Sequence, residues 1–368
     1  MNSIKQVEVF CNGRSVGRLA LTKERLCAFE YSADWLSSGF SISPFELPLR
    51  SGVFIAKPRP FEGGFGVFDD CLPDGWGLLI LDRYLQQKGV NPRTLTLLDR
   101  LTLVGSTGRG ALEFRPDYSV GTRQDYADFE KLALEAERIL DSDNYTGEGI
   151  REFQDRGGSP GGARPKIFVR YNDKEWLVKF RAKRDPQSIG MDEYRYSLLA
   201  KQCGIEMPET RLFEDKYFGV GRFDRTPNGK LHVISMAGLT GADYRLPSID
   251  YTHIFQVCAA LTHSVAEMWK VYRLMVFNFL IDNKDDHAKN FSFIYRNEDW
   301  HFAPAYDLLP SDGINGFRTT SINDSIEPTK RDLFAVAVKA GLNEKEAVTL
   351  FEEMYRHVIK QPGHVGIP

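Results

Sequence analysis

A few residues in the second half of the chain have side chains suited to one kind of chemistry. Asp285 and Asn290 stand five positions apart in the run Asp285-Asp286-His287-Ala288-Lys289-Asn290, and Asp307 follows in Pro304-Ala305-Tyr306-Asp307. Upstream lie the glycine-rich stretch Gly157-Gly158-Ser159-Pro160-Gly161-Gly162, a lysine in a strand-like run (Lys179) and a glutamate in a helix-like run (Glu193). Phosphoryl transfer needs these parts: a cradle for phosphates, a cation on them, metal ligands, and an acid to orient the attacking hydroxyl. Magnesium takes oxygen ligands and usually only one or two protein carboxylates, so Asn290 and Asp307 suit it. Each part met alone has a plainer reading. A glycine-rich loop is more often a linker, Lys179 an edge-strand surface lysine, and Asp282, Asp285 and Asp286 a solvated loop. Their order along the chain reverses those odds.

The elements that must position these residues follow from periodicity. Val7 and Val9 alternate, turn at Asn12-Gly13 and resume at Val16, a hairpin signal because a type I′ turn needs positive φ at both central residues. Helical period begins at Leu78 and stops before Gly89 and Pro92, and further helices are predicted over 94–103 and 126–140. Residues 143–165 read as a polar, glycine-rich stretch. Strands at 166–170 and 176–180 flank a turn at Asn172-Asp173, and a helix over 192–202 closes at Gly204. A strand near 218–223, a long apolar helix over 265–280, a hairpin over 291–302 and helices over 330–340 and 344–360 complete the pattern. Asn343 with Glu346 resembles a capping box at the last of these.

Composition narrows the class. Lys+Arg 47 against Asp+Glu 50 gives a net charge of -3, so no global basic field points to nucleic acid. The most apolar run, 271–281, is broken by Arg273 and Asn278 and is far shorter than the ~20 residues of a spanning helix. The first residues lack a secretory pattern. The five cysteines are scattered without a Cys-x-x-Cys pair, which predicts neither a disulfide framework nor a zinc site, and fits small core residues in a reducing cytoplasm. His232, His253, His263, His301, His357 and His364 show no metal-ligand spacing and read as structural, as do Trp35, Pro73 and Trp76. Gly229-Lys230 is followed by Leu231, so no Walker pattern exists.

An ordered series of motifs then carries a resemblance. The first half holds Phe40-Ser41-Ile42-Ser43-Pro44, Leu47-Pro48-Leu49, Val67-Phe68-Asp69-Asp70 and Leu72-Pro73-Asp74. The second holds Gly161-Gly162-Ala163-Arg164-Pro165-Lys166, Val178-Lys179-Phe180, Arg222-Phe223-Asp224-Arg225, the 285–290 loop and Pro304-Ala305-Tyr306-Asp307. In this series the chain resembles, nearly end to end, the HipA family of bacterial serine/threonine kinases, toxins of HipBA-type toxin–antitoxin pairs.

The resemblance implies roles. Asp285 matches the catalytic Asp, with Asp286 an adjacent competitor ranked second; Asn290 and Asp307 match the Mg²⁺ ligands. Lys179 matches the lysine on the α- and β-phosphates of ATP, with Glu193 its ion-pair partner. Gly161, Gly162, Ala163 and Lys166 match the phosphate loop, Gly221, Arg222 and Phe223 the hinge whose backbone contacts adenine, and His287 and Lys289 the nucleotide-side loop. Ser159 matches the serine that family members autophosphorylate, although Pro160 after it departs from the usual pattern. The implied target is a translation component such as an aminoacyl-tRNA synthetase. The implied partner is a small HipB-like helix-turn-helix antitoxin, with DNA reached mainly through it and no membrane.

The expected fold is therefore α+β: an N-terminal subdomain (1–145), a small β-rich lobe with the glycine loop (146–225) and a helical lobe with the catalytic and metal loops (226–368), ATP lying between the lobes. Two other readings stand beside it. One is a catalytically weak or dead binding partner or co-repressor, which would not need Lys179, Asp285, Asn290 and Asp307 together. The other is a small-molecule or lipid kinase, since an Asp-x-His-x-x-Asn loop occurs there too; the first half of the chain disfavours it.

Overall fold

The computed structural model describes residues 4–119, 127–142, 145–157, 161–313 and 315–360. The chain forms two compact units, Met1–Met191 with Glu209–Val233, and Asp192–Pro208 with Ile234–Pro368.

The first unit opens on an antiparallel sheet in the order Val53–Ile55, Cys27–Tyr31, Arg14–Leu21, Gln6–Cys11, Leu112–Arg115. Its first hairpin turns where expected, with φ 48° at Asn12 and 78° at Gly13. Val7, Val9 and Cys11 alternate inward and are buried. A second antiparallel sheet runs Lys166–Tyr171, Lys174–Lys179, Tyr217–Gly221, Thr210–Phe213. Helices Gly75–Gln87, Leu97–Val104 and Phe129–Asp141 match the predicted periodicity within a few residues.

Helix Gly149–Gly157 does not match. It lies inside the stretch read as polar and glycine-rich. Its glycines conceal a short apolar face: Ile150 and Phe153, three apart, are both fully buried. Trp76, Phe129, Ile150 and Phe153 share one apolar cluster with Ile167, Val178 and Phe213 of the second sheet and with Phe180 just beyond it. The cluster therefore runs across position 145, where the chain was expected to change domain.

His232 carries a prediction. It is 3% exposed in the first unit, its Nε2 lies 2.8 Å from the Ile42 carbonyl, and burial pushes its pKa down from 6.5 to about 4. Only an N–H can satisfy that carbonyl, so the neutral Nε2–H form is held. The unfolded chain takes up a proton near pH 6.5 and the folded one does not. Stability from this residue is thus fully present above pH 6.5 and is lost as the pH falls from there to about 4, at about 1.4 kcal/mol per pH unit. Urea unfolding of wild type and His232→Gln at pH 7 and pH 5 should show the larger acid loss in wild type. Equal losses would refute the assignment.

The second unit is mainly helical: Tyr251–Thr262, Val265–Leu280, Lys330–Lys339 and Glu344–Val358, with most of Ile189–Gln202. The long helix begins and ends where its apolar pattern predicts, with Ser264 accepting from Glu267 N–H at its start. Helix Tyr251–Thr262 was not expected, although Tyr251, Ile254, Phe255, Cys258 and Leu261 are buried along one face with His253 and Gln256 exposed opposite. The capping box at Asn343 is half made: the Asn343 side chain accepts from Glu346 N–H. Ser292–Arg296 pairs with Asp299–Phe302 as the expected hairpin, and Ile249–Asp250 pairs in parallel with Thr320–Ser321. No helix among the described residues is long and apolar enough to cross a membrane, and the five cysteines are buried and unbridged.

Candidate functional site

The expected site residues divide between the two units. Gly161, Gly162, Ala163, Lys166, Lys179, Gly221, Arg222 and Phe223 belong to the first; Glu193, Asp285, His287, Lys289, Asn290 and Asp307 belong to the second. Ser159 lies outside the described residues.

In the first unit, Lys166 and Lys179 are direct cross-strand partners, so their side chains leave the same face of the sheet. Both are buried, at 4% and 8% exposure. Like charges placed directly opposite each other repel, and burial strengthens the repulsion. Two ammonium groups on one sheet face suit an anion nearby. The Lys166 ammonium donates to the Gly161 carbonyl, and Lys179 Nζ lies 5.7 Å from the Phe218 ring. Gly162 has φ 91°, a left-handed backbone that favours glycine. Its N–H donates to Asp74 Oδ1, and its carbonyl accepts from Trp76 N–H at 3.0 Å.

The 221–223 segment is held tightly. Gly221 N–H donates to the Glu209 carbonyl at 2.8 Å and Arg222 N–H to that of Glu175 at 2.9 Å. The Arg222 side chain is structural: it pairs with Asp224 at 2.8 Å and lies 4.4 Å over the Phe168 ring. Arg225 also pairs with Asp224, at 2.9 Å, and both arginines donate to the Gly108 carbonyl. Asp224 additionally accepts from Gly110 N–H. Burial by itself would raise the Asp224 pKa, but Arg222 and Arg225 hold it well below the usual carboxylate range.

In the second unit the two adjacent aspartates part company. Asp285 is exposed, whereas Asp286 has no exposed surface. Asp286 accepts from Tyr251 Oη at 2.8 Å and Thr320 N–H at 3.3 Å, with Arg318 at 3.8 Å. Burial pushes its pKa up to about 7, against the opposing pull of Arg318 and Tyr251. A carboxylate so enclosed cannot meet a bulky hydroxyl substrate; Asp285 can. A polar chain supports the loop beneath it. Asn278 donates to Tyr251 Oη at 3.0 Å, Asn283 donates to Asn278 at 3.0 Å, and Asn283 Oδ1 accepts from Asp285 N–H at 3.1 Å.

Asn290 Nδ2 donates to the Asp285 carbonyl at 2.9 Å, committing the amide nitrogen and keeping its oxygen for a cation. His287 Nδ1 accepts from Lys289 N–H at 3.2 Å, so it holds the turn 288–290, and its ring lies 5.8 Å from that of Tyr244. Tyr306 donates to the Lys289 carbonyl at 2.7 Å, tying the loop to the segment that carries Asp307. Asp307 is exposed and has φ 55°, an uncommon backbone for a residue with a side chain. A carboxylate and an amide oxygen are the hard donors that Mg²⁺ takes, its remaining ligands coming from phosphate and water. Among the described residues no three acidic, His or Cys side chains cluster as a self-sufficient metal site.

The model of the HipA N-terminal domain matches residues 7–115, and that of the HipA-like C-terminal domain matches 158–361. The chain belongs to the HipA family. Among HipA-like relatives, the Sinorhizobium fredii protein Y4dM is 27% identical over 328 residues, 82% of this chain and 77% of that one. The serine/threonine-protein kinase toxin HipA of Shewanella oneidensis is 23% identical over 344 residues, 82% of this chain and 74% of its own. The HipA fold itself is seen in the Shewanella oneidensis complex of HipA, HipB and operator DNA, with TM-score 0.72 and 20% identity over 96% of this chain and 88% of that one. The α+β expectation holds.

Sequence reading missed the supports of these HipA loops. The Tyr251–Asn278–Asn283 chain had one visible signal, an asparagine interrupting the apolar run 271–281. Asp224 had another, an acid flanked by arginines at 222 and 225. Asp74 was read with Leu72 and Pro73 as architecture only, and its bond to Gly162 had no local signal, since 88 residues separate them.

Proposed function

We propose that this HipA-family chain is an ATP- and Mg²⁺-dependent serine/threonine protein kinase. The observation that carries the reading is the buried cross-strand pair Lys166 and Lys179 beside the Gly161–Gly162 turn, two cations set on one sheet face next to a glycine turn, the donor types that polyphosphate takes. In this reading Lys179 holds the phosphates and the glycine turn cradles them. Asp285 orients the attacking hydroxyl, and Asn290 and Asp307 hold the metal. Glu193 is the acid assigned to Lys179. Positioning and charge stabilisation supply most of the acceleration. The division into an N-terminal subdomain, a β-rich lobe and a helical lobe remains part of the proposal.

By family likeness, the substrate is a translation component such as an aminoacyl-tRNA synthetase, and the partner a HipB-like antitoxin that supplies most contact with DNA. Ser159 is the proposed autophosphorylation site. Two added negative charges there would oppose ATP phosphates. One observation favours the weaker alternative, a binding partner with little catalysis. The Gly221 and Arg222 N–H groups are spent on Glu209 and Glu175, which leaves the hinge fewer donors for adenine.

The deciding measurement is transfer from γ-labelled ATP with Mg²⁺, in buffer and in lysate, for wild type and Asp307→Asn. Label on the chain or on a lysate protein, lost by about 10²-fold or more in the variant, is the expected result. No transfer and no thermal stabilisation by Mg-ATP would support the binding-partner reading. Intact mass of wild type and Ser159→Ala after incubation with Mg-ATP tests the modification; equal phosphate gain would refute it.

A further inference from the structure

The segment Asp74-Gly75-Trp76 begins the first long helix of the N-terminal half, far from any expected site residue in sequence. Asp74 is the residue that should cap that helix, accepting from one of its first N–H groups. It does not; its side chain makes no capping bond. Asp74 Oδ1 instead accepts from the N–H of Gly162, and the N–H of Trp76, one of the donors a cap would take, goes to the Gly162 carbonyl at 3.0 Å. Both polar groups of one peptide turn are thus gripped by two residues of one helix start. Forgoing a cap worth about 1 kcal/mol argues that the side chain is placed for the turn and not for the helix.

The packing around the grip leaves no slack. A Cβ on Gly75, whose φ is 46°, would stand 2.5 Å from the Gly162 carbonyl oxygen. One on Gly161 would stand 3.1 Å from Asp74 Oδ1, and one on Gly162 would stand 2.7 Å from Lys166 Nζ. The turn is therefore enclosed between Asp74 on one side and Lys166 on the other. The grip also has a rigid base. Trp76 is 2% exposed and packs edge-on against Phe153, 5.0 Å between centroids, on the helix that leads into the glycine stretch.

We infer that Asp74 is a positioning residue for the nucleotide's phosphates: through Asp74 and Trp76 the N-terminal module sets the orientation of the Gly161–Gly162 turn. The inference rests on the kinase reading above and deepens it. Asp74 acts as a hydrogen-bond acceptor, not as a charge, because a negative group beside a phosphate site would by itself weaken anion binding. That distinction gives the test its sign. Asp74→Asn keeps the accepting oxygen, Asp74→Ala removes it, and Gly75→Ala sets a Cβ against the Gly162 carbonyl while straining the left-handed backbone at 75.

The experiment measures Mg-ATP affinity by calorimetry and amide hydrogen exchange over 161–166 without nucleotide, for wild type and the three full-length variants, with KM for ATP and kcat as a second readout. Asp74→Ala and Gly75→Ala are expected to exchange faster over the turn and to raise Kd and KM for ATP about tenfold, with kcat within threefold. Asp74→Asn is expected to stay within twofold of wild type. Unchanged or tighter binding by Asp74→Ala, or equal loss in Asp74→Asn and Asp74→Ala, would overturn the inference. If wild type binds no Mg-ATP, the kinase reading fails and this inference with it. The exchange data would still show separately whether Asp74 holds the turn.

Discussion

Asp285→Asn should lose phosphoryl transfer by about 10²–10⁴-fold while melting at the wild-type temperature. The side chain is exposed, so its replacement costs the fold little. The amide cannot take a proton from the attacking hydroxyl, which accounts for the loss. The neighbouring Asp286→Ala should behave in the opposite way. Its carboxylate is fully enclosed and serves Tyr251 Oη, Thr320 N–H and Arg318. Removing it leaves two buried donors without their acceptor and takes from Arg318 one of its two acids, Asp282 remaining at 3.5 Å, a destabilisation of about 3 kcal/mol. Activity would fall there because the loop loses its support. Transfer assays and calorimetry on the two variants separate the roles, and a stable Asp286→Ala protein with normal melting would refute the buried-anchor reading.

Asp224→Ala should be among the most destabilising single changes in the first unit. Arg222 and Arg225 both pair with Asp224, and their side chains are 7% and 12% exposed. Removing Asp224 takes away the nearer of the two acids the arginines share and leaves Glu175, 3.5 Å from Arg222 and 3.7 Å from Arg225, to face both guanidinium groups, at a cost of about 3 kcal/mol. The expected fall in Tm is roughly 10 °C. A pH dependence accompanies it. The arginines hold the folded pKa of Asp224 below the ordinary carboxylate value of 3.8. Its contribution is therefore present above about pH 4 and is lost as the pH drops below that. Calorimetry between pH 3 and 7 should show a shallower acid limb in Asp224→Ala than in wild type. Parallel acid limbs would show that Asp224 is not the linked group.

The Arg222–Asp224–Arg225 group also bears on the expected hinge. The resemblance assigns adenine contact to the backbone of Gly221, Arg222 and Phe223, and the Arg222 side chain is committed to Asp224, Gly108 and the Phe168 ring. Any adenine contact at this position falls to the backbone.

Local structure and the chemical inventory were legible along the chain. The Asn12-Gly13 and Asn172-Asp173 turns, the limits of helix Val265–Leu280 and the Ser292–Phe302 hairpin follow from periodicity and turn chemistry, which act over a few residues. The order of Lys179, Asp285, Asn290 and Asp307 carried the proposal of phosphoryl transfer, because that reaction admits few residue types. Only the tertiary structure decided which of two adjacent aspartates is accessible, because burial depends on Tyr251, Arg318 and Thr320, which are distant in sequence. It alone revealed helix Gly149–Gly157, whose two-residue apolar face is legible only against Trp76 and Phe180. It also brought Asp74 to Gly162, because hydrogen bonds and enclosure are satisfied in space and leave no periodic trace along the chain.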